Sequence, residues 1–229
     1  MACLWLIRPL KLLGLVLLVL GLAFLGVGGY ALYNYVQPPS RLASENLSKG
    51  VVEVQSRGGS GTGTIVRQRD AWKVLTAAHV VTDALGVDNN VRIISQDGSA
   101  QRARVESIDM GRDLAILEVE PLASWRAFPI EQGAPRPGEK VLTRCHFDSQ
   151  PREGIHLGPA DIKDLAVRDL LESLGEFRPA IGETIRSYVP TEAGCSGGPL
   201  VNRNGELLGI VLAGDGRTTV AVALGRTID

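Results

Sequence analysis

From Val51 onward, apolar and polar residues alternate in short runs broken by Gly, Asp and Asn, the period-two signature of half-buried strands. Val51 to Ser56, Gly61 to Arg67, Ala71 to Thr76, Val91 to Ser95, Arg102 to Ile108 and Leu114 to Val119 form a first set of six predicted strands. Lys140 to Arg144, Ile155 to Leu157, Thr184 to Val189, Pro199 to Asn202, Leu207 to Leu212 and Thr218 to Leu224 form a second set of six. The stretch from Pro121 to Pro137 separates the two sets. This grouping predicts an all-β fold of two six-stranded antiparallel β-barrels joined by one crossing segment. One region breaks the rule: Ile162, Leu165, Ala166, Leu170, Leu171 and Leu174 recur at helical spacing, which predicts a short helix over Ala160 to Leu174 inserted in a loop of the second barrel.

The N-terminal pattern is different. Leu12 to Val36 is a run of 25 uncharged residues rich in Leu, Val, Gly and Ala. As a helix it would span about 37 Å, enough to cross a bilayer. Arg8 and Lys11 precede it, Trp5 lies before its start, and Tyr30, Tyr33 and Tyr35 cluster at its far end, where interfacial aromatics are expected. The organisation read here is a cytoplasmic tail over 1–11, a transmembrane signal anchor over 12–36, a linker over 37–50 and one globular domain over 51–229. Cleavage as a signal peptide near Gly28 or Gly29 is the competing reading. Positive charge ahead of the anchor orients the domain outward, to the periplasmic or extracellular side. The linker lacks periodicity and reads as a tether, and Asn46-Leu47-Ser48 within it matches a glycosylation sequon.

Composition narrows the function classes. Hydrophobic residues are 45% of the chain and charged residues 21%, ample for a sizeable core. Beyond residue 40 there are 22 basic and 25 acidic side chains, so no basic face points to nucleic acid. The three cysteines, Cys3, Cys145 and Cys195, are too few for a disulfide scaffold and have no zinc-ligand spacing, so no metal and no cofactor is expected.

Three short segments carry chemistry. Gly194-Cys195-Ser196-Gly197-Gly198-Pro199-Leu200 puts glycines on both sides of a serine, allowing a tight turn whose backbone N–H groups converge beside an accessible hydroxyl. Leu75-Thr76-Ala77-Ala78-His79 ends an apolar strand in a histidine, and Arg112-Asp113-Leu114-Ala115-Ile116-Leu117 starts another with an acid. Each alone has an ordinary structural explanation. Their order, His79 then Asp113 then Ser196, with Gly59-Ser60-Gly61-Thr62-Gly63 ahead of them, resembles the trypsin-like serine proteases, and most of all the HtrA (Deg) type.

The resemblance covers residues 51–229 and implies a serine endopeptidase acting on protein or peptide substrates. It assigns His79, Asp113 and Ser196 to a catalytic triad and the N–H groups of Gly194 and Ser196 to an oxyanion hole. It places Thr191, Leu212, Ala213 and Gly214 around the specificity pocket, which would favour small or medium apolar side chains. Glu192 reads as a solvated loop charge, and His146 and His156 as loop or surface residues. Cys145 and Cys195 come close by the same likeness, either as a disulfide or as two buried thiols. HtrA-like enzymes often form homo-oligomers. Unlike them, this sequence has only 33 residues after Ser196, without room for a peptide-binding PDZ domain. The alternative to catalysis is a protease-fold module that binds peptides without hydrolysing them.

Overall fold

The computed structural model describes residues 21–26, 28–29, 38–86, 88–131, 136–159 and 184–224. By its contacts the chain divides into two units, Met1–Pro38 and Pro39–Asp229. In the first, residues 21–26 and 28–29 are helical, with Leu22, Phe24 and Leu25 exposed. Among the described residues no helix is long and apolar enough to cross a membrane. Most of the 12–36 run, and all of the helix expected from residue 160 to 174, lie outside the described residues.

The second unit opens with helix α1, Arg41–Lys49, within the stretch read above as a tether. Ser40 caps it by accepting the Ala43 N–H at 3.0 Å. Ala43, Asn46 and Leu47 make one face at i, i+3 and i+4, and all three are buried. Asn46 donates to the Gly205 carbonyl at 3.3 Å, and the Leu47 carbonyl accepts from Arg144 at 3.1 Å. The partners lie about 100 residues or more away, so local sequence could not announce this helix. Burial of Asn46 also removes the sequon from solvent.

Twelve strands follow: β1 Val51–Gln55, β2 Ser60–Gln68, β3 Ala71–Ala77, β4 Asn90–Ser95, β5 Ala100–Asp109, β6 Leu114–Glu118, β7 Lys140–Thr143, β8 Arg152–Pro159, β9 Thr184–Tyr188, β10 Pro199–Asn202, β11 Leu207–Gly214 and β12 Thr219–Ala223. They close into two antiparallel barrels, ordered β1-β2-β3-β6-β5-β4 and β10-β11-β12-β9-β8-β7. The predicted architecture is therefore present, with strand limits within one to three residues of those read from alternation.

Alternation does more than separate inside from outside. In β3, Val74 faces the core of the first barrel among Val52, Val54, Ile65 and Leu117, while Leu75 and Ala77 on the other face enter a core shared between the barrels. That shared core also takes Leu114 from β6 and Leu142, Val201, Ile210 and Leu212 from the second barrel. A strand buried on both faces loses the polar half of its pattern, which is why β3 and β11 read as near-continuous apolar runs. Phe128 and Ile130 of the crossing segment bridge to Val66 and Leu207, tying the connection to both barrels.

Candidate active site

Antiparallel register brings the first two candidate residues together. Ala77 of β3 lies opposite Leu114 of β6, so the residues just past those strand ends become neighbours. After Ala77 the chain enters a single 3-10 turn, Ala78–Val80, which carries His79. Asp113 has a φ of 51°, a left-handed conformation that short polar residues tolerate best. Its fully buried carboxylate grips the turn at two points: Oδ1 accepts the His79 backbone N–H at 2.9 Å, and Oδ2 meets His79 Nδ1 at 2.7 Å. The Asp113 carbonyl takes the Ala78 N–H at 3.1 Å. The carboxylate thereby holds both the backbone and the ring of His79, and as the acceptor of the ring contact it places the hydrogen on Nδ1.

Ser196 arrives from the second barrel in the turn before β10. Gly197, at a φ of 89°, is required there, because a Cβ would stand 1.9 Å from the Thr62 carbonyl oxygen. The turn is docked on β2 of the first barrel: Thr62 N–H donates to Ser196 O at 2.8 Å, and Thr64 Oγ1 to Gly197 O at 2.9 Å. Gly61, next to Thr62, packs against the side chain of Val80, the neighbour of His79. A Cβ on Gly61 would meet the Ser196 carbonyl oxygen as well, so the turns that carry His79 and Ser196 come together at the start of β2. The Ser196 hydroxyl donates to the Leu212 carbonyl at 2.9 Å. Among the described residues, the N–H groups of Gly194 and Ser196 have no hydrogen-bond partner, while their neighbours Cys195, Gly197 and Gly198 each donate to a backbone carbonyl.

The segment after β7 braces this turn. Leu200 pairs with Thr143, which sets Cys145 beside the turn, and a Cys145–Cys195 disulfide joins them with a Cα separation of 4.6 Å. Of the two readings open for these cysteines, the bonded one is formed. Arg152 bridges Asp148 at 2.7 Å and Glu192 at 2.8 Å, and donates to the Pro190 carbonyl at 3.2 Å. The hydrogen bond to Asp148 raises the Arg152 pKa above its ordinary value, so the guanidinium keeps its charge. Glu192 stays solvated but is tied down by that pair.

Of the residues expected around a pocket, Thr191 is buried with its hydroxyl 2.7 Å from that of Thr219. Gly214 passes directly over it, since a Cβ there would lie 1.8 Å from Thr191 Oγ1. Leu212 is buried in the shared core, and Ala213 pairs with Val220. His146 lies in the turn after β7, a loop residue as read, whereas His156 lies within a strand. His156 in β8 is 3% exposed, and the His146 side chain, 13% exposed, touches Thr62 beside the nucleophile turn. Neither position showed a distinguishing signal in the sequence, since a single histidine in a turn or a short strand carries no periodic mark.

Two closed six-stranded antiparallel barrels, with the His79–Asp113 pair on the first and the Ser196 turn of the second docked on it, define the chymotrypsin-like class of fold. Comparison with known proteins agrees: residues 61–210 match the family described as Trypsin-like peptidase domain. The chain belongs to that family. It is 31% identical over 162 residues to serine protease Rv3671c of Mycobacterium tuberculosis, covering 66% of this chain and 35% of that protein. It is 29% identical over 162 residues to serine protease HTRA3 of Mus musculus, covering 66% of this chain and 32% of that protein. The chain thus spans about a third of the length of these curated relatives. Among solved structures, the serine endoprotease from Yersinia pestis superposes with a TM-score of 0.59 at 24% identity, over 82% of this chain and 63% of that one. The inactive form of the Rv3671c protease superposes with a TM-score of 0.58 at 23% identity, over 82% of this chain and 92% of that one. At these identities the superpositions speak for the fold.

Proposed function

We propose that this chain is a membrane-anchored serine endopeptidase that hydrolyses peptide bonds of exported proteins through an acyl-enzyme on Ser196. The observation that carries the reading is the 2.7 Å contact between the buried Asp113 carboxylate and His79 Nδ1, with the Ser196 turn docked on the same barrel and the Gly194 and Ser196 N–H groups unpaired among the described residues. On this reading the Ser196 hydroxyl leaves the Leu212 carbonyl and turns to His79 Nε2. Its oxygen attacks the scissile carbonyl carbon as its proton passes to His79. The carbonyl oxygen gains negative charge, which the Gly194 and Ser196 N–H groups receive. Loss of one such donor costs about 3 kcal/mol of transition-state stabilisation in comparable enzymes. The C–N bond then breaks, the amine leaving with the proton from His79, and water repeats the sequence on the ester, returning free Ser196.

The uncharged run over 12–36, with Leu22, Phe24 and Leu25 exposed on its helical part, supports an anchor. The Cys145–Cys195 bridge supports an oxidising compartment, outside the cytoplasm, for the domain. The test is labelling of the protein with a fluorophosphonate probe, followed by mass mapping. Label on Ser196 that disappears in Ser196→Ala and falls in His79→Ala is the expected outcome. No label under oxidising conditions would overturn the catalytic reading in favour of a peptide-binding module.

A further inference from the structure

The nucleophile turn exposes a carbonyl as well as its N–H groups, and that carbonyl is held from the other barrel. Thr62 Oγ1 lies 2.6 Å from the Gly194 carbonyl oxygen. A threonine hydroxyl has one proton and two lone pairs, and a carbonyl oxygen only accepts, so the proton goes to Gly194. Both remaining sites on the hydroxyl face His146: its backbone N–H at 3.1 Å and its ring Nδ1 at 3.2 Å. With the hydroxyl proton committed, His146 Nδ1 must carry the hydrogen of that second contact.

His146 is itself fixed. Gln96 donates to its carbonyl at 2.9 Å, its Nε2 lies 3.9 Å from Glu53 Oε1, and its ring meets Phe147 edge-on at 5.0 Å between centroids. Thr62 is fully buried and its backbone is equally spoken for, the N–H by Ser196 O and the carbonyl by Thr76 Oγ1 at 2.8 Å. The hydroxyl is therefore saturated and has a single orientation.

Gly194 needs such a restraint. Its φ of 92° is open to glycine alone, and a glycine peptide rotates with little intrinsic resistance. A Cβ there would meet the Phe147 and His146 side chains. The peptide after Gly194, whose other end is the Cys195 N–H bonded to Glu192 O, lies between the N–H groups of Gly194 and Ser196, so turning it moves one of them relative to the other.

We propose that Thr62, held by His146, is a positioning residue that fixes the Gly194 peptide and so keeps the oxyanion donors formed. The proposal deepens the endopeptidase reading and rests on it for its effect on rate. The test uses the full-length protein and the variants Thr62→Val, which keeps the shape and removes the hydroxyl, and Thr62→Ser, which restores it. Thr62→Val is expected to lower both kcat on a peptide and the fluorophosphonate labelling rate by about 10- to 100-fold, with KM within about twofold. Thr62→Ser is expected to recover most of that loss. Amide exchange gives a readout independent of activity: the Cys195 N–H, bonded to Glu192 O, should exchange faster in Thr62→Val and regain protection in Thr62→Ser. A Thr62→Val protein with wild-type kcat and wild-type exchange would overturn the proposal, as would a Thr62→Ser protein no better than Thr62→Val. If the wild-type protein itself does not react with the probe, the endopeptidase reading fails and the exchange comparison alone decides the clamp.

Discussion

Ser196 Oγ donates to the carbonyl of Leu212 at 2.9 Å, a residue of β11 buried in the core shared by the two barrels. The candidate nucleophile thus rests on a rigid strand, at the junction where His79 and Asp113 arrive from the opposite barrel. Catalysis on this arrangement depends on the imidazole being held in one tautomer, which is Asp113's part.

Asp113→Asn tests that part with little disturbance of the fold, since asparagine tolerates the left-handed φ of 51° as well as aspartate does. The amide oxygen can still accept the His79 backbone N–H, leaving its NH2 facing Nδ1 and forcing the other tautomer. The expected result is a fall in kcat of about 10⁴-fold with unchanged thermal stability to within about 1 kcal/mol, measured by peptide hydrolysis and calorimetry.

Reduction of Cys145–Cys195 should act on stability and rate together. The bridge spans a sequence separation of 50 residues. Loop-closure entropy for that length corresponds to about 4 kcal/mol in the unfolded chain. The Cys145→Ala/Cys195→Ala protein, and the wild type under dithiothreitol, are expected to melt several degrees lower and to label more slowly at Ser196. Melting and labelling unchanged by reduction would show the bridge to be dispensable.

Helix α1 should behave as part of the domain. Leu47 is fully buried in the shared core, so Leu47→Ala is expected to cost about 2–5 kcal/mol in urea unfolding. Mass spectrometry of protein made in a glycosylating host is expected to show Asn46 unmodified, because its amide is buried against Gly205.

Stability should depend on pH through His156. Burial pushes its pKa below the ordinary 6.5, and among the described residues its Nδ1 has no hydrogen-bond partner. A histidine that binds its proton less readily when folded favours the unfolded state once protons are available. Its contribution is complete above about pH 6.5 and is lost as the pH falls from there toward the lower folded-state pKa. Urea midpoints are expected to drop as the pH falls below about 6.5, and His156→Leu is expected to flatten that slope. Asp215 and Glu206, whose pKa values are lowered by hydrogen bonds from Thr218 and Asn202 respectively, add the same sign only below about pH 4.5.

Cleavage is expected after small or medium apolar residues rather than after Arg or Lys. Two acids adjoin the expected pocket residues in sequence, and both are engaged: Glu192 with Arg152, and Asp215 with the N–H groups of Arg217 and Thr218 in its own turn. Product mapping on a peptide library measures this directly, and a predominance of Arg or Lys at the cleaved position would refute it.

The strands of both barrels, the crossing between them and the segments bearing His79, Asp113 and Ser196 were legible in the chain, because alternation, turn residues and local motifs are properties of neighbours in sequence. What required the tertiary structure was every contact made across long separations. Helix α1 was hidden because Asn46 and Leu47 find their partners, Gly205 and Arg144, far along the chain. The Cys145–Cys195 bond, left open by sequence, was decided by the register of β7 against β10. The roles of Thr62 and His146 had no local signature, since a hydroxyl and an imidazole become a clamp only when two barrels close on the same turn. Hydrophobic pattern sets which residues go inside and in what elements. Only packing decides which polar groups, once inside, must satisfy one another, and the candidate chemistry of this protein is built from those.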